Sequence, residues 1–458
     1  MGPADFKWLS QNLSGPALLV TDLTGHEDYC HDATEDSGTP SAIVFAEYES
    51  DVIATLRFCA AHDLPVVPRG AGTGLSGGCV PSRGGIVLST ERMKQLEIDP
   101  ENRTAVCGPG VITKALVDTA GRFGLTYPPD PASYDESTLG GNVAEGAGGL
   151  RCKRFGVTKD YVIGLTAVTA DGRIIKTGRQ NGYQGFSLGD LFVGSEGTLV
   201  VITQIVVRLI VAPSPGNTLL IAFDDPADAA RTVSEITGSG LIPTVLEYLD
   251  GDAADCSNRY EKHEGLDRVA AILLIETAGE DRSGQTGTIG EICRKNKCSY
   301  LRVESDPDKA ERLWAVRRNL SNAMKAIAKY RISEDVAVPN SQFPRLVAFV
   351  AELNEASPLR INAYGHAGDG NLHVNFMSMS GSAAEIRLMQ DGIGRLLRKT
   401  VELGGTLTGE HGIGLAKRHY LPLEFDGPTL HFMKRVKSLF DPTDLLNPGK
   451  IFQKNEKL

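Results

Sequence analysis

The chain is 458 residues long, and 47 Lys and Arg against 57 Asp and Glu give it a formal net charge of −10. That balance argues against general affinity for nucleic acid or an anionic membrane. Apolar residues at 41% and charged residues at 23% describe a globular chain with core enough for two or three domains, which excludes a disordered or fibrous protein.

The opening Met1-Gly-Pro-Ala-Asp5 lacks a basic segment leading into an apolar one, so no secretory signal is expected. No run of ~18 apolar residues exists, so no membrane-spanning helix is expected either. Eight scattered cysteines (30, 59, 79, 107, 152, 256, 293 and 298) form no Cys-x-x-Cys pair, and they read as free thiols. The expected location is cytoplasmic, and docking at the periphery of a membrane complex is compatible with it.

Residues 49–62 start with a capping signal and continue apolar at helical spacing, which predicts a helix. Leu64–Val67 and Gly85–Ser89 read as strands on either side of a glycine-rich loop. Further strands are expected at Gly164–Thr169, Leu199–Ile202 and Ile205–Ile210. Pro213-Ser-Pro-Gly-Asn217 marks a domain boundary, because glycine density drops after it. Strands then alternate with helices: Leu219–Phe223, a helix at 226–237, Val245–Leu249, Ala271–Ile275, a helix at 283–295 and Tyr300–Val303. This alternation predicts an α+β layer covering one face of a sheet. Helices at 309–329 and 428–440 follow.

The loop Pro68-Arg69-Gly70-Ala71-Gly72-Thr73-Gly74-Leu75-Ser76-Gly77-Gly78 contains Gly72-x-Gly74-x-x-Gly77, a bare match to the dinucleotide fingerprint. A Rossmann loop must open a helix that holds the pyrophosphate. Here the chain runs on through Cys79-Val-Pro-Ser-Arg-Gly-Gly85, which cannot be that helix. Glu91 at roughly the ribose-acid spacing does not rescue the match. Consecutive glycines can instead converge backbone N–H groups on an anion without a helix.

This loop resembles the pyrophosphate loop of the vanillyl-alcohol oxidase and p-cresol methylhydroxylase flavoproteins. Thr138-Leu-Gly-Gly-Asn142, Gly194-Ser-Glu-Gly-Thr198 and Asn447-Pro-Gly-Lys450 carry the same resemblance, which spans about residues 40–455. It implies an α+β chain in three parts. A two-part FAD-binding domain of the p-cresol methylhydroxylase type would cover 1–213. A ferredoxin-like substrate or cap domain with a metal site would cover 214–412. A C-terminal helical segment, 413–458, would pack back on the FAD domain. It also implies FAD held by Pro68 through Gly77, by Thr138, Gly141, Asn142, Ala144 and Gly148, by Glu196, Gly197 and Ile202, and by Asn447. Some members attach FAD through His or Cys. The loop has no His and Cys79 lies just outside it, so non-covalent FAD is expected.

A second constellation is Asn362-Ala-Tyr-Gly-His366-Ala-Gly-Asp-Gly-Asn-Leu-His373-Val-Asn375-Phe, followed by Gly405-Thr-Leu-Thr-Gly-Glu410-His411-Gly-Ile-Gly414. Leu372, Val374 and Phe376 alternate with His373 and Asn375, which reads as a strand with the two polar residues on one face. The Gly-Asp-Gly turn can return His366 to His373. Two imidazoles and Glu410 make a site for one divalent metal, with Zn, Mn and Fe all compatible. The other histidines (26, 31, 62, 263, 419 and 431) take no functional reading.

The His-x-Gly-Asp-Gly-Asn-Leu-His-x-Asn and Gly-Glu-His-Gly-Ile-Gly patterns resemble the branch of glycolate oxidase D-subunits, D-lactate dehydrogenases and D-2-hydroxyglutarate dehydrogenases. The resemblance implies His366, His373 and Glu410 as metal ligands, Asn375 as a substrate contact, His411 as catalytic base in contact with substrate, and Arg317 as the substrate-binding arginine. A 2-hydroxy acid gives up a hydroxyl proton and an α-hydride. An imidazole can take the first near neutral pH, and a metal can stabilise the alkoxide. A guanidinium suits the carboxylate. The 2-hydroxyglutarate enzymes carry a Lys shortly before Asp-x-x-x-Pro. In Arg331-Ile-Ser333-Glu-Asp335-Val-Ala-Val-Pro339 that place is Ser333, which favours a monocarboxylate, D-lactate first and glycolate next, although Arg331 could substitute.

A metallohydrolase using the His/His/Glu set would leave the 68–78 cradle unexplained. A non-catalytic scaffold subunit would not need Glu410-His411. No cysteine-rich iron–sulfur module is present. Electrons are therefore expected to leave to a separate acceptor: an electron-transfer flavoprotein, an iron–sulfur subunit or a quinone.

Overall fold

The computed structural model describes residues 6–15, 18–178, 186–263, 266, 268–279 and 281–453. The Met1–Asp5 stretch read for targeting and the last five residues of the C-terminal segment lie outside the described residues. The chain divides into two compact units. One comprises Met1–Gly148, Gly156–Ala212 and Glu410–Leu458; the other comprises Gly149–Phe155 and Pro213–Gly409.

In the first unit the helix Glu49–His62 forms where expected. Asp51 fixes its start by accepting the backbone N–H groups of Glu47 at 3.0 Å and Tyr48 at 2.9 Å. The helix buries Val52, Leu56 and Phe58 against Val44, Ile86 and Leu88 of a four-stranded sheet. That sheet runs Leu19–Val20, Ala42–Phe45, Ile86–Ser89, Val66–Arg69, and its last three strands are parallel. The strand expected at Leu64–Val67 is Val66–Arg69 instead. Leu64 closes the preceding helix through its N–H to Cys59 O at 3.0 Å, so pairing starts two residues later.

A five-stranded antiparallel sheet follows in the order Leu96–Asp99, Thr104–Cys107, Val200–Arg208, Val162–Thr169, Ile174–Gly178. The two strands expected between 199 and 210 are one strand, Val200–Arg208, with a register shift between Ile202 and Gln204. The last segment of the unit pairs beside Val66. Val66 N–H donates to Leu445 O and Asn447 N–H donates to Val66 O, each at 2.8 Å.

The second unit is built on a seven-stranded antiparallel sheet. Its order is Tyr300–Glu304, Asn217–Phe223, Ala271–Thr277, Val245–Asp250, Arg360–Gly365, Asn371–Ser378, Tyr330–Ala337. Asn217–Phe223 and Asn371–Ser378 are buried along their whole length. Successive side chains point to opposite faces, so both faces of the sheet are covered, where the sequence suggested one. Helices Gly251–Tyr260, Phe343–Glu355 and Ala383–Glu402, which the sequence reading did not resolve, belong to this cover. The helix expected at 309–329 is two, Pro307–Arg318 and Leu320–Ile327, with Asn319 between them. Asp306 caps the first, accepting the Asp308 N–H at 3.0 Å, and Pro307 takes the first helical position. Among the described residues no helix is long and apolar enough to cross a membrane. None of the eight cysteines takes part in a disulfide.

Candidate active site

The first unit holds a large cavity with about 1310 Å³ of empty space, its open mouth included. Pro68 through Leu75 line it, as do Thr138, Gly141, Asn142, Ala144, Gly148, Glu196, Gly197 and Ile202. Glu410 and His411 stand on the same wall.

The loop is shaped by glycine. Gly72 has φ +77°, and a Cβ at Gly70 would lie 2.2 Å from Thr138 Oγ1. A Cβ at Gly74 would meet nothing within 4 Å, so it would project into open space in the cradle. Thr138 caps the short helix Leu139–Glu145 by accepting the Gly141 N–H at 3.4 Å. No helix follows the 70–78 loop, which excludes the Rossmann arrangement.

Three residues of the expected set do not line the cavity. Ser76 turns to the last segment, its carbonyl accepting Leu415 N–H at 2.8 Å, and Gly77 packs on Leu415. Asn447 is buried behind the wall, donating to Gly78 O at 3.0 Å and Glu196 O at 2.7 Å, so it ties two wall segments together. Arg69 lines the cavity, yet its guanidinium donates to His31 O at 2.6 Å and Asp28 O at 2.8 Å. It anchors the loop from behind. Asp32, Pro109, Pro131, Ser137 and Glu145 line the cavity and were not singled out in the sequence, and Cys79, just outside the loop, lines it too. Burial pushes the Cys79 thiol up to about 11 and the Lys450 ammonium down to about 8.

The second unit gathers the other residues. Strands Arg360–Gly365 and Asn371–Ser378 form a hairpin through a short turn at Ala367–Asp369. Gly370, at φ +72°, allows the turn; a Cβ there would stand 2.0 Å from Val338 O. The hairpin sets the His366 and His373 rings 5.2 Å apart at 90°. Both are buried, and their ligand nitrogens lie within 4.8 Å of each other.

A carboxylate stands beside each imidazole. Glu247 Oε1 is 2.6 Å from His366 Nδ1, and Glu247 Oε2 accepts Arg317 Nε–H at 2.7 Å. Burial opposes ionisation of Glu247, but His366 and Arg317 overcome it and hold the carboxyl below its usual range. Asp335 Oδ1 lies 3.7 Å from His373 Nδ1. Asp335 is held in place by Asn371 Nδ2 at 2.5 Å, Thr408 Oγ1 at 2.9 Å and Gly409 N–H at 2.7 Å. A carboxylate on one ring nitrogen with the other left for a ligand, as Glu247 provides for His366, is the usual setting of a metal-binding histidine, so the pair fits a divalent ion.

Arg317 is buried and stacks over Tyr364, its guanidinium carbon 4.5 Å from the ring centre. Asn375 sits between Ser333 and Asn362 in register, and Arg331 Nη1 is 3.5 Å from its Oδ1. Glu247 was missed in the sequence. Its signal was an acid inside the apolar run Val245-Leu-Glu-Tyr-Leu249.

Family models match both parts of the chain: an FAD binding domain over residues 40–178 and the C-terminal domain of FAD linked oxidases over 212–451. The chain is 38% identical over 451 residues to glycolate oxidase subunit GlcD of Bacillus subtilis, covering 97% of this chain and 96% of that one. It is 36% identical over 418 residues to a D-lactate dehydrogenase of Archaeoglobus fulgidus, covering 90% and 91%. In fold it is similar to p-cresol methylhydroxylase, with a TM-score of 0.80 at 15% identity, covering 99% of this chain and 97% of that one. The chain is thus an FAD-linked oxidoreductase, and it belongs to the family of glycolate oxidase D-subunits, D-lactate dehydrogenases and D-2-hydroxyglutarate dehydrogenases.

Proposed function

We propose that the protein is a dehydrogenase of D-2-hydroxy acids, with D-lactate the favoured substrate, and that it uses FAD together with one divalent metal. The observation that carries this reading is the presence of His411 on the wall of the cavity lined by the glycine cradle. When bound, FAD supplies a two-electron acceptor and the metal supplies Lewis acidity toward the hydroxyl oxygen. His366, His373 and Glu410 are the ligands the sequence pattern offers for Zn, Mn or Fe.

The protein's own residues do the rest. His411 takes the hydroxyl proton. Arg317 anchors the substrate carboxylate, and Glu247 fixes the direction of its fork by holding Nε. Asn375 adds an amide contact, and Arg331 steadies it. The buried Glu247 keeps His366 in one tautomer and orientation, and Asp335 lies beside His373. FAD is bound without a covalent link, through the wall segments 68–75, 138–148 and 196–202, with Ser76, Gly77 and Asn447 bracing them.

Ser333, opposite Asn375 in the sheet, supports a monocarboxylate, because it offers no cation to a distal carboxylate. Glycolate and D-2-hydroxyglutarate are the alternative substrates. Electrons leave to a separate acceptor: an electron-transfer flavoprotein, an iron–sulfur subunit or a quinone. The test is turnover with an artificial acceptor on D-lactate, L-lactate, glycolate and D-2-hydroxyglutarate. The highest kcat/KM on D-lactate supports the reading; a preference for the dicarboxylate overturns it.

A further inference from the structure

Glu145 ends the short helix Leu139–Glu145 and lines the cavity. A Cβ on Gly412 would lie 2.8 Å from Glu145 Oε2 and 3.0 Å from Glu196 Oε1, so two carboxyls converge on one point. Only glycine leaves room between them.

Their surroundings are unequal. Glu196 Oε1 accepts the Ile413 N–H at 2.8 Å and Oε2 accepts the Gly414 N–H at 2.6 Å. Burial raises the Glu196 carboxyl as well, but these two backbone donors work against it and favour the charged form. Glu145 has the Ser76 hydroxyl at 3.5 Å from Oε2, a weak contact. Two like charges facing one point disfavour each other, so the member with fewer hydrogen-bond donors keeps a proton.

The other charges around Glu145 do not reverse this. Asp32 adds a third acid to the wall, and its Oδ2 has no hydrogen-bond partner. Lys450 is the nearby cation, and its ammonium is engaged by Gly78 O at 2.6 Å and Asn447 Oδ1 at 2.9 Å. Arg69 is turned to backbone carbonyls, and Lys417 acts on Glu196. The same wall carries Glu410 and His411. The cavity must also accept a pyrophosphate dianion, which raises the cost of charge on Glu145 further.

We propose that Glu145 is the neutral member of this acid pair, that Glu196 carries the charge, and that loss of the Glu145 proton in alkaline solution weakens FAD binding. Burial, and then the Glu196 charge, hold the Glu145 carboxyl well above its usual range. The proton is taken from solvent when FAD binds to the ionised form, and no bond to the cofactor is made. The inference rests on FAD occupying this cavity, not on which hydroxy acid is oxidised.

The test is FAD affinity of the full chain, read by quenching of flavin fluorescence from pH 6 to pH 9.5. The wild type should hold FAD evenly at low pH and lose affinity by about tenfold per unit once Glu145 ionises. Glu145→Gln, which keeps the shape without the proton, should remove that slope. Calorimetry of the wild type at pH 9, in buffers of different ionisation enthalpy, gives a second readout that needs no variant. Uptake approaching one proton per FAD supports the proposal. No uptake, or a slope that Glu145→Gln leaves unchanged, overturns it. FAD bound at pH 7 is common to both outcomes, so the cofactor assignment is read separately.

Discussion

Glu247 Oε1 lies 2.6 Å from His366 Nδ1, and both side chains are shielded from solvent. The same carboxylate takes Arg317 Nε–H at 2.7 Å, so one acid orients a candidate metal ligand and a candidate substrate anchor. A buried acid that pairs with a guanidinium and orients an imidazole is costly to remove, because Arg317 is then left without its counter-charge.

Glu247→Gln should therefore lower metal affinity by about 10–100-fold, as expected when a histidine loses its orienting carboxylate. Metal content after dialysis against graded chelator checks this. Glu247→Ala should go further and cost about 3–5 kcal/mol of stability, read by denaturant unfolding.

His411→Ala should bind FAD normally and reduce it about 10²–10⁴-fold more slowly with substrate, the usual loss for a general base. Flavin absorbance after purification and stopped-flow reduction separate the two effects. Equal reduction rates would remove His411 from the role of base.

Gly70→Ala places a methyl group 2.2 Å from the present position of Thr138 Oγ1, and Thr138 must move. The expected loss is about 1–3 kcal/mol, from overpacking and a weakened cap, together with lower FAD retention. Gly74→Ala meets no atom within 4 Å, so it should leave the apoprotein's stability nearly unchanged while lowering FAD affinity. Thermal unfolding with and without FAD distinguishes the two variants.

Asp250 gives a pH prediction in the second unit. It caps helix Gly251–Tyr260 through the Ala253 N–H at 2.7 Å and also accepts the Ala363 N–H at 2.5 Å. Burial, and then the Asp252 charge, raise its carboxyl to about 7. The folded state thus binds a proton that the unfolded state releases at lower pH. The associated stability is complete in acid and is lost as pH rises to about 7, on the order of 1.4 kcal/mol per unit. Asp250→Asn keeps a capping oxygen without titrating. Its stability relative to wild type should rise between pH 5 and pH 8 in denaturant melts. A constant difference would contradict the assignment.

Much of the site was legible because glycine and histidine mark it in short local patterns. The 68–78 loop follows a strand and cannot open a helix, and the structure places Pro68 through Leu75 on the cavity wall. The His366–His373 spacing predicted a hairpin, and the rings stand 5.2 Å apart. Residues that act through distant partners were harder to read. Glu247 is 119 positions from His366, and Glu145 is 51 positions from Glu196, so no local pattern joins either pair. The three unrecognised helices of the second unit failed for a related reason. Gly251–Tyr260 is rich in small and polar residues, and its periodicity emerges only against the sheet it covers. The sequence offers Arg317 as a substrate anchor only. Its ion pair with Glu247 depends on a strand 70 positions away.

The central claim is best tested by anaerobic titration of the purified, FAD-loaded protein with D-lactate, following the visible flavin absorbance. The account predicts bleaching that saturates at one D-lactate per flavin, with L-lactate inert. A yellow protein that D-lactate leaves unbleached would contradict it.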